Sequence, residues 1–189
     1  MGNMIFLGID PGLSGALAVL DPETSEVKFW DAPVMEVVVN KKTKHVPDAY
    51  GMVRILKEAS AGRQVMVTIE KVQAMPGGGE RTMGATSAFN FGYGAGMWMG
   101  ILAALGLPHQ QAHPATWKAR VMKGFGKEKD ASRQVAMQHY PQAAKYLTRK
   151  KDNGRSDALM IARYAWLTYG GQPQEVQGRE SFDGTLFSV

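Results

Sequence analysis

Residues 4 to 15 read Met-Ile-Phe-Leu-Gly-Ile-Asp-Pro-Gly-Leu-Ser-Gly, an apolar run ending on one carboxylate, Asp10, directly before a Pro-Gly-x-x-Gly turn. The run is rich in Ile, Phe and Leu and too short for a helix, so it predicts a buried strand. Aspartate is disfavoured there, and an ion at the end of such a strand needs a partner. An Asx turn after the strand explains an isolated Asp-Pro-Gly equally well. Two later stretches ask for more than a turn. Ile69-Glu70 closes another apolar run, Val65-Met66-Val67-Thr68, and Asp152 and Asp157 stand at the opening of a C-terminal helix. Several carboxylates at strand ends imply a bound cation.

With 189 residues the chain has enough length for one sizeable core but is short for two. We expect one domain over residues 1–170 and a loosely packed tail over 171–189. A hydrophobic share of 44% and a charged share of 21% argue against disorder and against a membrane-embedded fold. The net charge of +5 favours a polyanionic partner without demanding one. Because there are no cysteines, disulfides, thiolate zinc sites and cysteine nucleophiles are excluded, and any metal must be held by oxygen or imidazole. No segment approaches the roughly 18 uninterrupted apolar residues of a membrane span. The first strand begins so early that no signal or transit peptide is expected, and Phe6 stands where a myristoylation signal wants Ser or Thr. These features predict a protein of the cytoplasm or its viral equivalent.

After the Asp10 turn, Ala16–Leu20 and Val27–Trp30 read as two more strands, so three antiparallel strands are expected. Residues 34 to 39 are apolar, and Lys41, Lys42 and Lys44 then fall in a turn-like stretch that we expect to project as a basic loop. Pro47-Asp48 opens a helix carrying Met52, Ile55 and Leu56 at helical spacing, and Ala61-Gly62 closes it before the Glu70 strand. A strand, a helix and a strand in sequence pair in parallel, which brings Asp10 and Glu70 to the same sheet end. Residues 75 to 84, rich in glycine, are expected to form a flexible loop that carries Arg81. The apolar stretch from Phe89 predicts a helix despite Gly92, Gly94, Gly96 and Gly100. Each interior glycine costs about 1 kcal/mol against alanine, so close packing is expected, against the sheet or against a second copy of the helix. Leu107–Ala112 predicts a short strand, Pro114-Ala-Thr-Trp117-Lys118 a brief helix, and Asp130–His139 another. The Ala158, Met160, Ile161, Ala165 pattern predicts a last helix beginning near Arg155.

On one continuous helix Asp152 and Asp157 would project well apart, so the reading requires the helix to start after Gly154, leaving Asp152 on a loop that folds back. Helix capping explains either residue taken separately but leaves Asp10 and Glu70 unexplained. Four carboxylates at one sheet end repel without cations, and hard oxygen ligands suit Mg²⁺ or Mn²⁺. Two such ions activate water and steady the leaving oxygen of a phosphodiester, which makes nucleic-acid hydrolysis the natural reaction. Lysines and arginines surround these acids in sequence, as a phosphate-tracking surface requires: Lys41, Lys42, Lys44, Lys71, Arg81, Lys118, Lys123, Lys127, Lys129, Arg149, Lys150 and Lys151, with Trp117 among them.

Gly8-Ile-Asp10-Pro-Gly-Leu-Ser-Gly15, the strand-borne Glu70 and Asp157-Ala-Leu159 resemble RuvC-type Holliday junction resolvases of the ribonuclease H-like superfamily. Phe91-Gly-Tyr-Gly-x-Gly-Met-Trp-Met-Gly100, Thr116-Trp-Lys118 and Lys150-Lys-Asp-Asn-Gly-Arg-Ser-Asp157 are similar to the chloroplast (monokaryotic chloroplast) resolvases and their phage and bacterial relatives. The resemblance implies an α/β fold: a mixed five-stranded sheet, three antiparallel then two parallel strands, flanked by helices. It also implies a homodimer that binds a four-way DNA junction and makes paired symmetric nicks with ligatable ends, in a bacterial or phage-infected cell. Asp10, Glu70, Asp152 and Asp157 would hold two Mg²⁺ or Mn²⁺ ions with Lys118 in the catalytic set, and no organic cofactor is implied. RuvC itself usually spaces its last two ligands three apart, where this chain has Gly154, and the chloroplast-like pattern often has His at the place of Asn153. The rivals are an actin-like or sugar-kinase-like phosphotransferase, for which a second nucleotide loop is missing, and a catalytically silent junction-binding protein.

Overall fold

The computed structural model describes residues 4–73, 84–126 and 130–170. Strands β1 (Met4–Asp10), β2 (Ala16–Leu20) and β3 (Val27–Asp31) run antiparallel in succession. Helix α1 (Ala49–Ser60) is capped by Asp48, whose carboxylate accepts from the Gly51 amide at 3.0 Å, and it leads to β6 (Gln64–Glu70), parallel to β1. Helix α2 (Ala85–Ala104) then leads to β7 (His109–Ala112), parallel to β6. The sheet order is β3-β2-β1-β6-β7, the mixed five-stranded arrangement expected from the sequence.

Alternation along the strands divides the core in two. Ile5, Leu7, Ile9, Leu17 and Val19 pack with Met52, Ile55 and Leu56 of α1 and Trp98 and Leu102 of α2. Ala16, Ala18 and Leu20 face the opposite way, towards α3 (Pro114–Val121), α4 (Ala131–His139) and α5 (Asn153–Tyr169). Burying each large side chain fully is worth about 1.5–3 kcal/mol, so both layers are needed. The sheet lies closest to α5. A Cβ at Gly8 of β1 would come within 2.0 Å of the Ala158 carbonyl oxygen, so only glycine admits this approach.

Three expectations change. The basic loop is the turn of a separate two-stranded sheet, β4 (Val34–Val39) and β5 (Lys42–Pro47), whose Asn40 and Lys41 have φ of 52° and 61°. Two left-handed residues make the turn whose twist matches a hairpin. Helix α5 starts at Asn153, not after Gly154. Gly154 stays helical because it serves packing: a Cβ there would stand 2.3 Å from the Ser14 carbonyl oxygen in the turn after β1. On α2, a Cβ at Gly92, Gly96 or Gly100 meets nothing within 4 Å among the described residues, and Gly94 alone approaches other segments, near Pro11 and Pro47. A methyl group at Gly92, Gly96 or Gly100 would therefore meet none of the described residues, which leaves the second-copy alternative open. The stretch holding Arg81 lies outside the described residues, as do Lys127, Lys129 and the 171–189 tail. Among the described residues no helix is long and apolar enough to cross a membrane.

Candidate active site

Asp10 ends β1 and Glu70 ends β6, the parallel neighbour, so the pairing alone brings them to one edge. Asp157 reaches the same edge from the second turn of α5. One oxygen of Asp10 accepts from the Gly12 amide at 3.2 Å, so the Asx turn is real, yet the residue does more. Burial, joined by the charges of Asp157 and Glu70, pushes the Asp10 carboxyl up to about 7 against the opposing Gly12 amide and Lys118 ammonium. Burial also raises Glu70, with Asp157 adding to it and Trp117 and Lys118 opposing. Asp157 is raised by burial and held down by the Ser132 hydroxyl and Lys118. Three acids raised by burial, with Asp157 acting on the other two and one lysine opposing all three, form an electrostatic unit.

Asp10 and Asp157 line a cleft of about 680 Å³ with Ser14, Asp130, Lys150, Lys151, Asn153 and Gly154. Glu70 lines a second groove with Gly92 and Gly96 of α2, while its charge acts on Asp10 and the charge of Asp157 acts on it. Among the described residues no three acidic or imidazole side chains already close to ion-holding distance. The donor set nevertheless suits a hard divalent cation, being anionic oxygen held against burial, and such a cation would offset the burial that raises these pKa values and the charge of Asp157 that adds to two of them.

Asp152 does not join the other three. It is buried with both oxygens occupied: one accepts from the Arg149 amide at 2.8 Å, the other from the Arg149 guanidinium at 2.7 Å and 3.0 Å. That hydrogen-bonded guanidinium holds its carboxyl below the usual range. The cause is the helix start. Lys150–Asp152 form a 3₁₀ turn leading directly into α5, so Asp152 turns towards Arg149 while Asn153, four residues before Asp157, shares its face. Asn153 Oδ1 is buried with no hydrogen-bond partner among the described residues, an acceptor left without a donor at the wall of the cleft. The i, i+4 spacing of Asn153 and Asp157 is the available sequence signal, but reading Gly154 as a helix breaker hides it.

Trp117 is likewise misplaced by sequence reasoning, which puts it on the DNA surface. The structure buries it completely. Its neighbours Thr116 and Lys118 lie outward, and the Lys118 ammonium sits 5.1 Å from the Trp117 ring centre. Of the other basic residues singled out, Lys41, Lys42, Lys44, Lys71 and Lys123 are exposed, and Lys150 and Lys151 border the cleft. Arg149 is exposed, but its guanidinium is committed to Asp152. Asp130 and Ser132 are additions that no motif announced, and Ser14 lies inside the Gly8–Gly15 motif without being singled out by it.

No family model matches the chain. It superposes on the Thermus thermophilus RuvC structure with a TM-score of 0.51, covering 88% of this chain and 97% of that one at 16% identity. The chain has the RuvC fold. A second T. thermophilus RuvC structure, in complex with Holliday junction substrate, gives a TM-score of 0.49 over 90% of this chain and 99% of that one, again at 16% identity. The chain is also similar to the chloroplastic Holliday junction resolvase MOC1 of Chlamydomonas reinhardtii, 28% identical over 162 residues. That match covers 77% of this chain but only 18% of the longer relative. On the RuvC fold observed here, the carboxylates stand at the ends of the two central parallel strands and on the last described helix.

Proposed function

We propose that this chain is a metal-dependent, structure-selective DNA endonuclease that resolves four-way junctions by paired symmetric nicks with ligatable ends. The observation carrying this reading is the convergence of Asp10, Glu70 and Asp157 at one edge of a RuvC-type sheet, where burial raises all three and the Asp157 charge adds to the rise of the other two. A purely structural set of acids gains nothing from such repulsion, whereas a cation-binding set uses it. The similarity to a chloroplastic junction resolvase points to the same substrate.

Asp10, Glu70 and Asp157 would hold two Mg²⁺ or Mn²⁺ ions, with the neutral oxygen of Asn153 at the place assigned from sequence to Asp152. The bound metal supplies Lewis acidity, activating water and offsetting charge on the leaving oxygen. Lys118, whose charge already acts on all three acids, is placed to offset charge developing on the scissile phosphate. Lys150 and Lys151 at the rim would orient the backbone of the strand entering the cleft, and Lys41, Lys42, Lys44, Lys71 and Lys123 would extend the phosphate contacts. Paired nicking of a two-fold substrate needs two such sites in one particle, and the open face of Gly92, Gly96 and Gly100 offers a surface on which two copies of α2 can approach closely. We place the protein in the cytoplasm of a bacterial or phage-infected cell.

The test is incubation with a synthetic four-way junction and Mg²⁺, against linear duplex and against ATP with a sugar acceptor. Symmetric nicks in the junction alone support the reading. Phosphoryl transfer would favour the phosphotransferase, and binding without cleavage the silent junction-binding protein.

A further inference from the structure

We propose that Trp117 is a positioning residue for Glu70, its indole N–H fixing which carboxylate oxygen is presented to the cation. This rests on the nuclease reading above. The Trp117 ring is fully buried in the core layer that also contains Val135, Ala136, Leu159 and Tyr140. Such a ring cannot rotate without repacking its neighbours. Its Nε1–H donates to Glu70 Oε1 at 3.1 Å. A buried indole N–H requires an acceptor, and here the acceptor belongs to the strand-end carboxylate at the opening of the groove. Oε1 is thereby occupied on its protein side while Oε2 carries no such bond among the described residues.

The support is rigid at both ends. Glu70 is the last residue of β6, whose pairing with Ala112 of β7 fixes its backbone. Helix α3 follows β7 at once, with Pro114 in its first turn and the His113 ring accepting from the Ala115 amide at 3.2 Å. The strand carrying the carboxylate and the helix carrying the donor are thus joined side by side. Trp98 provides the internal contrast. It is equally buried, but on the opposite face of the sheet, and its indole nitrogen has no partner among the described residues. Removing one N–H should disturb the acidic cluster, and removing the other should not.

The experiment uses full-length protein. Mn²⁺ affinity is measured by calorimetry without DNA, and kcat and KM on a four-way junction at saturating metal. Orienting partners of metal ligands change affinity or activity by about 10–100-fold, so Trp117→Phe should weaken Mn²⁺ binding and lower kcat by about tenfold while KM stays at the wild-type value. Trp98→Phe, the same chemical change elsewhere, should leave all three values unaltered. In a Glu70→Gln background, Trp117→Phe should produce no further loss of Mn²⁺ affinity. Should Trp117→Phe fail to fold, a benzothiophene analogue at position 117 keeps the bicyclic shape and lacks only the donor. Wild-type Mn²⁺ affinity in a folded Trp117 variant overturns the assignment, as does an equal loss in Trp98→Phe, which would mean packing alone. A rise in KM with unchanged Mn²⁺ affinity would return Trp117 to DNA binding and also overturn it. If the wild-type protein neither binds Mn²⁺ nor cuts the junction, the nuclease reading itself falls and this one with it; if it does both, only the role of Trp117 is at stake.

Discussion

Asp10 is both the end of a strand and the most perturbed acid at the site, which makes its removal informative in two ways. Asp10→Asn and Glu70→Gln should each abolish nicking while junction binding, measured by gel shift, stays near wild type, because the basic surface is untouched. The second consequence is linkage. The Asp10 carboxyl titrates at about 7 in the fold against an ordinary 3.8, so between those values the folded state holds the extra proton. Stability is then fully present below about pH 4 and falls as pH rises towards 7, by at most on the order of 4 kcal/mol. In EDTA the wild-type melting temperature should drop between about pH 4.5 and pH 8, and Asp10→Asn should flatten that drop; parallel curves would contradict the assignment. Asn153 and Asp152 separate similarly. Asn153→Ala should raise the Mg²⁺ concentration needed for half-maximal nicking, whereas Asp152→Asn should leave it unchanged and lower the melting temperature, since it weakens the Arg149 pairing. Asp10, Glu70 and Asp157 are readable from sequence because each ends or begins an apolar segment. Asp152 misleads because its charge suggests a ligand, while its real partner, Arg149, lies only three residues away.

Two sets of glycines carry opposite meanings, and sequence alone treats them alike. Gly8 and Gly154 are where α5 touches β1 and the turn after it, so a methyl group at either strikes backbone. Gly100 points into open space among the described residues. Gly154→Ala should therefore destabilise by several kcal/mol and shift Asn153 and Asp157 together, costing cleavage as well. Gly100→Ala should stabilise the single protomer by up to about 1 kcal/mol through helix propensity, while weakening self-association in sedimentation if α2 is the dimer face. Thermal melting at low concentration together with sedimentation at high concentration checks both. The strands and their parallel or antiparallel sense follow from hydrophobic runs and connection lengths, which are local properties. The start of α5 does not, because a glycine that breaks a helix and a glycine that permits close approach have the same letter, and the second hairpin does not, because its left-handed turn falls on Asn40 and Lys41 with no glycine to mark it. What tells them apart is a distant neighbour, Ser14 in one case and open space in the other.

The described basic residues stand on different elements: Lys41, Lys42 and Lys44 on the β4–β5 hairpin, Lys150 and Lys151 at the rim of the cleft. Replacing Lys41, Lys42 and Lys44 together with alanine should reduce the log-log salt slope of junction binding by roughly one unit for each phosphate that these lysines neutralise, and an unaltered slope would assign the hairpin to solvent. Asp10 comes from the first strand and Asp157 from the last described helix, and Gly8 lies directly under Ala158 and Ala162. A chain still on the ribosome can build the three antiparallel strands early, since their pairings are local, but it cannot complete the carboxylate cluster until α5 has emerged and closed over β1. Until α5 closes over β1, Asp10 and Asp157 stay apart, so the order in which the chain is made fixes when the cluster can form.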